Sequence, residues 1–273
     1  MLGRAVGIWC KALIMDLYRL QQQLLELMIF LSVQTSKKDF HRIDQFLVAY
    51  FQLPPAFGGQ YDTVATVVDL VLGPPDERLA LQSIQDCGGP IGLSYAVRNR
   101  GSLRGLVVMN SWAWEASIPQ KLFSLVMGGW PLGYWLQTRH NFFARSIVPH
   151  GIHHKEKLVP SLRKAYTGPF PTAQSRIPTW VFPRHIRKAG CWLRELETQL
   201  DRLADLPTQI LCGSRDEPGF RKVELARWQR HLLSHETEVL DDASHFIQED
   251  RPERVVATIV RLLARTQHQQ GNA

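Results

Sequence analysis

The stretch IQDCGGPIGL, residues 84–93, constrains the fold more than any other part of the chain. An apolar run over residues 79–84 predicts a strand, and helical spacing begins just after the stretch. Gly88 and Gly89 are the small neighbours that a sharp strand-to-helix turn needs, because the backbone is crowded there. Such a turn lifts one side chain out of the sheet and points helix N–H groups at whatever reacts with it. That side chain is Asp86, a carboxylate that is ionised at neutral pH and can attack without a base.

Two downstream segments can complete a site around Asp86. Residues 208–212 predict a buried strand that leads into GSRDEP, which contains Asp216. Residues 237–240 predict another strand, followed by DDASHF, which contains His245. In open α/β sheets, sites assemble at the carboxyl ends of the strands. The chain order carboxylate, carboxylate, histidine is also that of nucleophile, acid and base in α/β-hydrolases.

Five motifs in this order carry a resemblance to haloalkane dehalogenases of the α/β-hydrolase superfamily. They are the elbow QDCGGPIGL, NSWAW at 110–114, the cap segment AYTGPFPTAQSRIPTWVFPR at 165–184, the acid loop GSRDEPGFRK and the histidine loop ASHFIQEDRPE. The resemblance implies that Asp86 displaces halide from a small apolar haloalkane and forms an ester. His245, oriented by Asp216, then activates the water that hydrolyses this ester. It implies no cofactor and no metal ion.

Two departures from the family pattern concern the leaving halide. The family carries Trp after the elbow Asp, and its indole N–H holds the halide; this chain has Cys87, a weak donor. The family's His-Gly-Asn-Pro loop, which supplies an oxyanion N–H and often a halide-binding Asn, has no counterpart in residues 1–85. Trp135 stands about where some members place a second halide-binding Trp in the cap. We therefore expect halide stabilisation to be the weakest step and the enzyme to be impaired.

The pattern of elements predicts an α/β-hydrolase-type, mostly parallel sheet with an inserted helical cap. The period becomes helical after Trp114 and returns to strand at Thr208, with prolines dividing the interval into short helices. We assign residues 78–116 and 206–273 to the core and 117–205 to the cap. Residues 1–77 do not resemble the family and form an N-terminal region of uncertain fold.

The composition of the chain limits which binding partners and which cellular compartment we expect. The chain has 273 residues and 45% hydrophobic content, enough for one core and an insertion. The four cysteines are scattered without a CxxC pair, which indicates a reducing, cytoplasmic compartment. The apolar run at 24–33 is much shorter than the roughly 20 residues of a membrane span. Residues 121–188 hold eleven Lys or Arg and one acid, which we interpret as solvated helix faces, with no motif for nucleic acid. The oligomeric state stays open.

Other interpretations remain for the acid and for the activity. Glu115 is a second candidate for the acid, although the Asp216 loop fits better. An epoxide hydrolase would use the same nucleophile and a cap tyrosine, for which Tyr134 and Tyr166 are available. A third possibility is a non-catalytic remnant that keeps only the second half of the fold.

Overall fold

In the described part of the chain, four parallel strands form one sheet, in which strands that follow one another in the sequence are neighbours. A computed structural model describes residues 80–216, 219–220 and 222–271. The strands are β1 (Ala80–Asp86), β2 (Leu103–Ser111), β3 (Thr208–Gly213) and β4 (His235–Leu240), in the spatial order β1-β2-β3-β4. The predicted N-terminal region, residues 1–77, lies outside the described residues. The parallel sheet with helical connections confirms the predicted fold class.

Helices lie between these strands and after β4, and those at Gly88–Arg98 and Pro252–Gly271 pack against the sheet. They are α1 (Gly88–Arg98), α2 (Ile118–Gly128), α3 (Leu132–His140), α4 (Val148–His150), α5 (Pro160–Thr167), α6 (Ile177–Lys188), α7 (Gly190–Gln199), α8 (Lys222–His231), α9 (Ile247–Asp250) and α10 (Pro252–Gly271). A π-helical turn covers Phe143–Ile147, and short 3₁₀ turns cover Arg100–Ser102, Lys155–Lys157 and Leu200–Leu203. No helix in the described ranges is long and apolar enough to cross a membrane.

All regular elements between β2 and β3 are helical, over the interval in which the sequence predicts a cap. At its start, the side chain of Gln120 accepts a hydrogen bond from the backbone N–H of Ser117 at 2.8 Å, which satisfies one of the free N–H groups of the first turn of α2. Helix α2 then packs against α3 and α6. The boundaries at 117 and 205 stay a prediction.

Both faces of β2 are buried, as expected for a strand with a nearly continuous apolar run. Leu106 and Val108 belong to the larger core cluster, which includes Leu93 of α1. Val107 and Met109 point to the other cluster, which α10 completes. Alternate residues of one strand therefore anchor helices on opposite faces and fix where the carboxyl end of the strand lies.

Candidate active site

Asp86 is the last residue of β1 and stands at a strained turn. Its φ is +47°, a left-handed conformation that is uncommon for a residue with a side chain. The hydroxyl of Ser111, at the end of β2, donates a hydrogen bond to the Asp86 carbonyl at 2.7 Å. The backbone of Gly89 lies so close to Ser111 that a Cβ there would be 1.7 Å from its Oγ. The glycine therefore permits the close contact that holds the turn, and α1 begins two residues after Asp86.

The structure brings Asp216 and His245 to the same edge of the sheet as Asp86. Asp216 follows β3 and is buried, and its Oδ2 lies 2.8 Å from Nδ1 of His245. Nε2, on the other side of the same ring, lies 3.6 Å from Oδ2 of Asp86. The imidazole thus lies between two carboxylates and is oriented by the buried one. This is the geometry in which a histidine can remove a proton from a molecule next to Asp86.

Two opposing effects act on the pKa of His245. Burial is the largest and lowers the pKa, because it disfavours the charged imidazolium. The negative charges of Asp216 and Asp86, with their hydrogen bonds, outweigh it and raise the pKa of His245 well above its ordinary value. The ring therefore holds a proton readily when both carboxylates are ionised.

Cys87 is buried directly beside the Asp86 carboxylate. Its thiol donates to Oδ1 of Asp86 at 3.6 Å, a long contact for a weak donor. Burial, and then the charge of Asp86, raises the pKa of the Cys87 thiol well above its ordinary value. The group is therefore a neutral thiol at physiological pH and can act only as a weak donor.

The other candidates of the sequence lie elsewhere. Trp135 on α3 is 51% exposed, and its ring packs edge-on against His140 at 4.3 Å between centroids. Glu115 pairs with Lys121 at 2.7 Å and with Arg194 at 2.6 Å, and their hydrogen bonds lower its pKa. The structure thus joins His245 to Asp216 and gives Glu115 two cationic partners of its own.

The two cap tyrosines considered as epoxide donors have other contacts. The Tyr166 hydroxyl donates to Oε1 of Glu249 at 2.6 Å. The ring of Tyr134 packs against Trp130 and Trp180, with centroids 5.0 and 5.1 Å away. None of these three contacts involves Asp86, Asp216 or His245. Among the described residues, no group of three or more His, Cys, Asp or Glu side chains could hold a metal ion.

Two buried amides that sequence reasoning missed hold the backbone around His245. Gln85 donates from Nε2 to the carbonyl of His245 at 2.7 Å. Asn110 donates from Nδ2 to the carbonyl of Ser244 at 2.9 Å and accepts the N–H of Gly213 at 3.0 Å. Asn110 has a φ of +35°, so the carboxyl end of β2 turns sharply there. A polar residue at the end of an otherwise apolar strand was the available signal.

Comparisons with known proteins give relatives of two kinds. No protein-family model matches the chain. Haloalkane dehalogenase 2 of Mycobacterium tuberculosis is 32% identical over 209 residues, which are 76% of this chain and 72% of that protein. Cis-3-alkyl-4-alkyloxetan-2-one decarboxylase of Xanthomonas campestris pv. campestris is 30% identical over 190 residues, which are 67% of this chain and 62% of that protein.

A similar fold is found in a solved structure. The crystal structure of haloalkane dehalogenase DbeA from Bradyrhizobium elkani USDA94 superposes with a TM-score of 0.66 at 23% identity. The match covers 79% of this chain and 77% of DbeA. At that identity the superposition supports the fold, and the 32% identity to the mycobacterial protein supports the family. The chain therefore belongs to the haloalkane dehalogenase family and is a hydrolase-like protein of the α/β-hydrolase fold.

Proposed function

We propose that the chain hydrolyses carbon–halogen bonds of small apolar haloalkanes through an ester on Asp86. One observation carries the proposal: the imidazole of His245 lies 2.8 Å from Asp216 and 3.6 Å from Asp86, on opposite ring nitrogens. A buried acid on Nδ1 leaves Nε2 as the basic nitrogen, and that nitrogen faces the nucleophile. Family membership supports the assignment of these roles.

The reaction has two steps. A carboxylate oxygen of Asp86 attacks the halogen-bearing carbon in line, a carbon–oxygen bond forms, and the carbon–halogen bond breaks with its electron pair going to the halide. His245 then takes a proton from water, and the hydroxide adds to the carboxyl carbon of the ester. Backbone N–H groups at the start of α1, that of Cys87 among them, stabilise the tetrahedral oxyanion. Its collapse expels the alkoxide, which takes the proton from His245 and leaves as the alcohol, and the carboxyl group of Asp86 loses its proton to solvent and is again a carboxylate.

Halide stabilisation decides how fast this enzyme works. Cys87 supplies only a thiol, and losing one oriented donor typically costs about 10²–10³ in rate. Trp112 is a candidate for the second donor. Its indole N–H is buried without a hydrogen-bond partner in the described part of the chain, and it directly follows Ser111, which pairs with Asp86 in the sheet. We expect a slow enzyme that prefers iodide and bromide to chloride as leaving groups.

A second substrate class fits the same nucleophile without a halide donor. The relative from Xanthomonas campestris is named for decarboxylation of a cis-3-alkyl-4-alkyloxetan-2-one. Attack of Asp86 on C4, the saturated ring carbon bonded to the ring oxygen, would break that carbon–oxygen bond and leave a carboxylate attached to the substrate. Loss of CO₂ would then form the alkene and expel Asp86. Because the leaving group stays tethered, the weak donor at Cys87 would matter less.

One panel of substrates separates these functions. Purified full-length protein is incubated with short chloro-, bromo- and iodoalkanes, with epoxides, and with a cis-dialkyl oxetan-2-one, and halide, diol and alkene are quantified. We expect halide release that is absent in Asp86→Asn and slower in Trp112→Phe. Alkene alone would favour the oxetanone function, diol alone an epoxide hydrolase, and no product from any substrate would refute the proposed catalysis.

A further inference from the structure

Asp250, the last residue of α9, is a buried carboxylate with no part in the proposed chemistry. The whole residue is 0% exposed to solvent. Oδ2 accepts the backbone N–H of Ser244 at 2.8 Å and that of His153 at 3.0 Å, and Oδ1 accepts the backbone N–H of His154 at 2.8 Å. A buried carboxylate is costly unless hydrogen bonds satisfy it, and three N–H groups do so here. Two of them come from the predicted cap, and one comes from the loop that bears His245.

We infer that Asp250 is a positioning residue for His245 and that it fixes the base by joining its loop to cap residues 151–158. The inference rests on the proposed function of His245 as the base. Ser244 immediately precedes His245, so the bond from Ser244 to Asp250 fixes the chain on the N-terminal side of the base. The carbonyl of His245 accepts from Gln85 at 2.7 Å, which fixes the other side. The imidazole can then meet Asp216 and Asp86 with little freedom to turn away.

Contacts next to Asp250 join the same two segments. The backbone N–H of Phe246 donates to the carbonyl of Gly151 at 3.0 Å. A Cβ on Gly151 would lie 2.8 Å from the Phe246 ring, so the glycine lets the ring and the cap backbone meet. Lys157 donates from Nζ to the carbonyl of Asp250 at 2.6 Å. The cap segment thus contacts both the main chain at Phe246 and Asp250 and the carboxylate of Asp250.

The carboxylate suits this position better than an amide would. Both oxygens of Asp250 accept, and hydrogen bonds to a charged acceptor are stronger than those between neutral groups. An asparagine would keep one oxygen, enough for the donors Ser244 and His153, but its NH₂ group would face the N–H of His154. We therefore expect Asp250→Asn to weaken the hydrogen bonds between the His245 loop and cap residues 151–158 without leaving a cavity.

The first experiment separates the two chemical steps in Asp250→Asn. A bromoalkane is mixed with excess enzyme, and mass spectrometry follows formation and decay of the alkyl adduct. Because a base is needed only for ester hydrolysis, we expect adduct formation near the wild-type rate and decay about 10–10²-fold slower, as for a displacement of about 1 Å. Glu253→Gln is the matched control: it removes one carboxylate charge three residues away, on a side chain that is 60% exposed.

A second pair of variants tests the hydrogen bond that the backbone N–H of His154, in the cap, donates to Asp250. His154 has a φ of −77°, within the range that proline adopts, so His154→Pro removes the N–H donor at a compatible position. His154→Ala removes the same imidazole and its contact with Glu156 but keeps the N–H. We expect adduct decay to be at least about tenfold slower in His154→Pro than in His154→Ala. This pair decides the question if Asp250→Asn does not fold.

A readout that needs no turnover is the proton on Nδ1 of His245, observed by NMR as a low-field signal in its hydrogen bond to Asp216. We expect the signal to broaden or vanish in Asp250→Asn and to persist in Glu253→Gln. Equal slowing of adduct formation and decay, or an unchanged decay rate with an unchanged signal, would overturn the inference. If the wild type forms no adduct and no product, the proposed function fails, and the Nδ1 signal still decides the role of Asp250.

Discussion

Substitution of Gly89 by alanine tests how tightly the turn at Asp86 is packed. The added Cβ would lie 1.7 Å from Oγ and 2.9 Å from Cβ of Ser111. Ser111 cannot easily move away, because its carbonyl accepts the indole N–H of Trp228 at 2.8 Å. If the hydroxyl turned aside, the Asp86 carbonyl would lose its 2.7 Å hydrogen bond. Overpacking costs about 1–3 kcal/mol and the lost hydrogen bond about 1 kcal/mol, so we expect about 2–4 kcal/mol of destabilisation.

Thermal unfolding followed by circular dichroism measures this cost. About 2–4 °C of Tm per kcal/mol predicts a decrease of about 5–15 °C for Gly89→Ala. Gly101→Ala is the control, because no atom lies within 4 Å of an added Cβ there, and its effect is expected within about 0.5 kcal/mol. In a Ser111→Gly background, which removes both contacted atoms, Gly89→Ala should cost about 1–3 kcal/mol less. An equal cost in both backgrounds would refute the steric reasoning.

Three further predictions concern the chemistry. With a bromoalkane, His245→Phe should accumulate an alkyl ester on Asp86, whereas Asp86→Asn should form none, and mass spectrometry detects this adduct. If His245→Phe forms no adduct while the wild type turns over, the mechanism is contradicted. Cys87→Trp should raise the rate of halide release from bromoalkanes, because an indole N–H is a better donor than a thiol. The larger side chain costs about 1–3 kcal/mol of stability through overpacking, so folding of this variant is checked first. Hydrolysis of the adduct should rise with pH through the pKa of His245, because only the neutral ring accepts a proton. That midpoint should lie below the pKa of His245 titrated by NMR in the free enzyme, because the ester removes the Asp86 charge that raises it; a higher midpoint would exclude His245 as the base.

The strands of the described sheet could largely be predicted from the sequence, because β1, β2 and β3 carry apolar stretches and β4 ends in two apolar residues. The predicted strand 208–212 is observed as Thr208–Gly213, and 79–84 as Ala80–Asp86. The predicted strand 237–240 is observed as His235–Leu240. Its first two residues are polar and partly exposed, since β4 lies at an edge of the described sheet. An edge strand with polar side chains carries a weak apolar signal, so its beginning was missed.

The meeting of the three proposed triad residues at one edge of the sheet could be predicted, because the proposed chemistry demands particular side chains in particular surroundings. Asp86 needs small neighbours at a crowded turn, and Asp216 and His245 need the carboxyl ends of strands. Trp135 was proposed by position alone, and its contact with His140 at a half-exposed site could not be predicted, because cap packing depends on contacts between distant segments. Its proposed halide-binding role stays a prediction.

The residues that position His245 escaped prediction for a different physical reason. Gln85, Asn110 and Asp250 all bind main-chain groups of residues 244–245, and a main-chain partner leaves no mark on the sequence. Only the positioning residue itself can give a signal. Here the signal is a buried polar side chain, since Gln85 and Asn110 are each the second-last residue of a strand and are both buried. All three lie within the quoted family motifs, but an uncharged substitution of comparable volume at any of them would leave Asp86, Asp216 and His245 unchanged. It would also leave a buried carbonyl or N–H without its partner and the imidazole free to move, so the presence of these three residues does not by itself indicate a competent base.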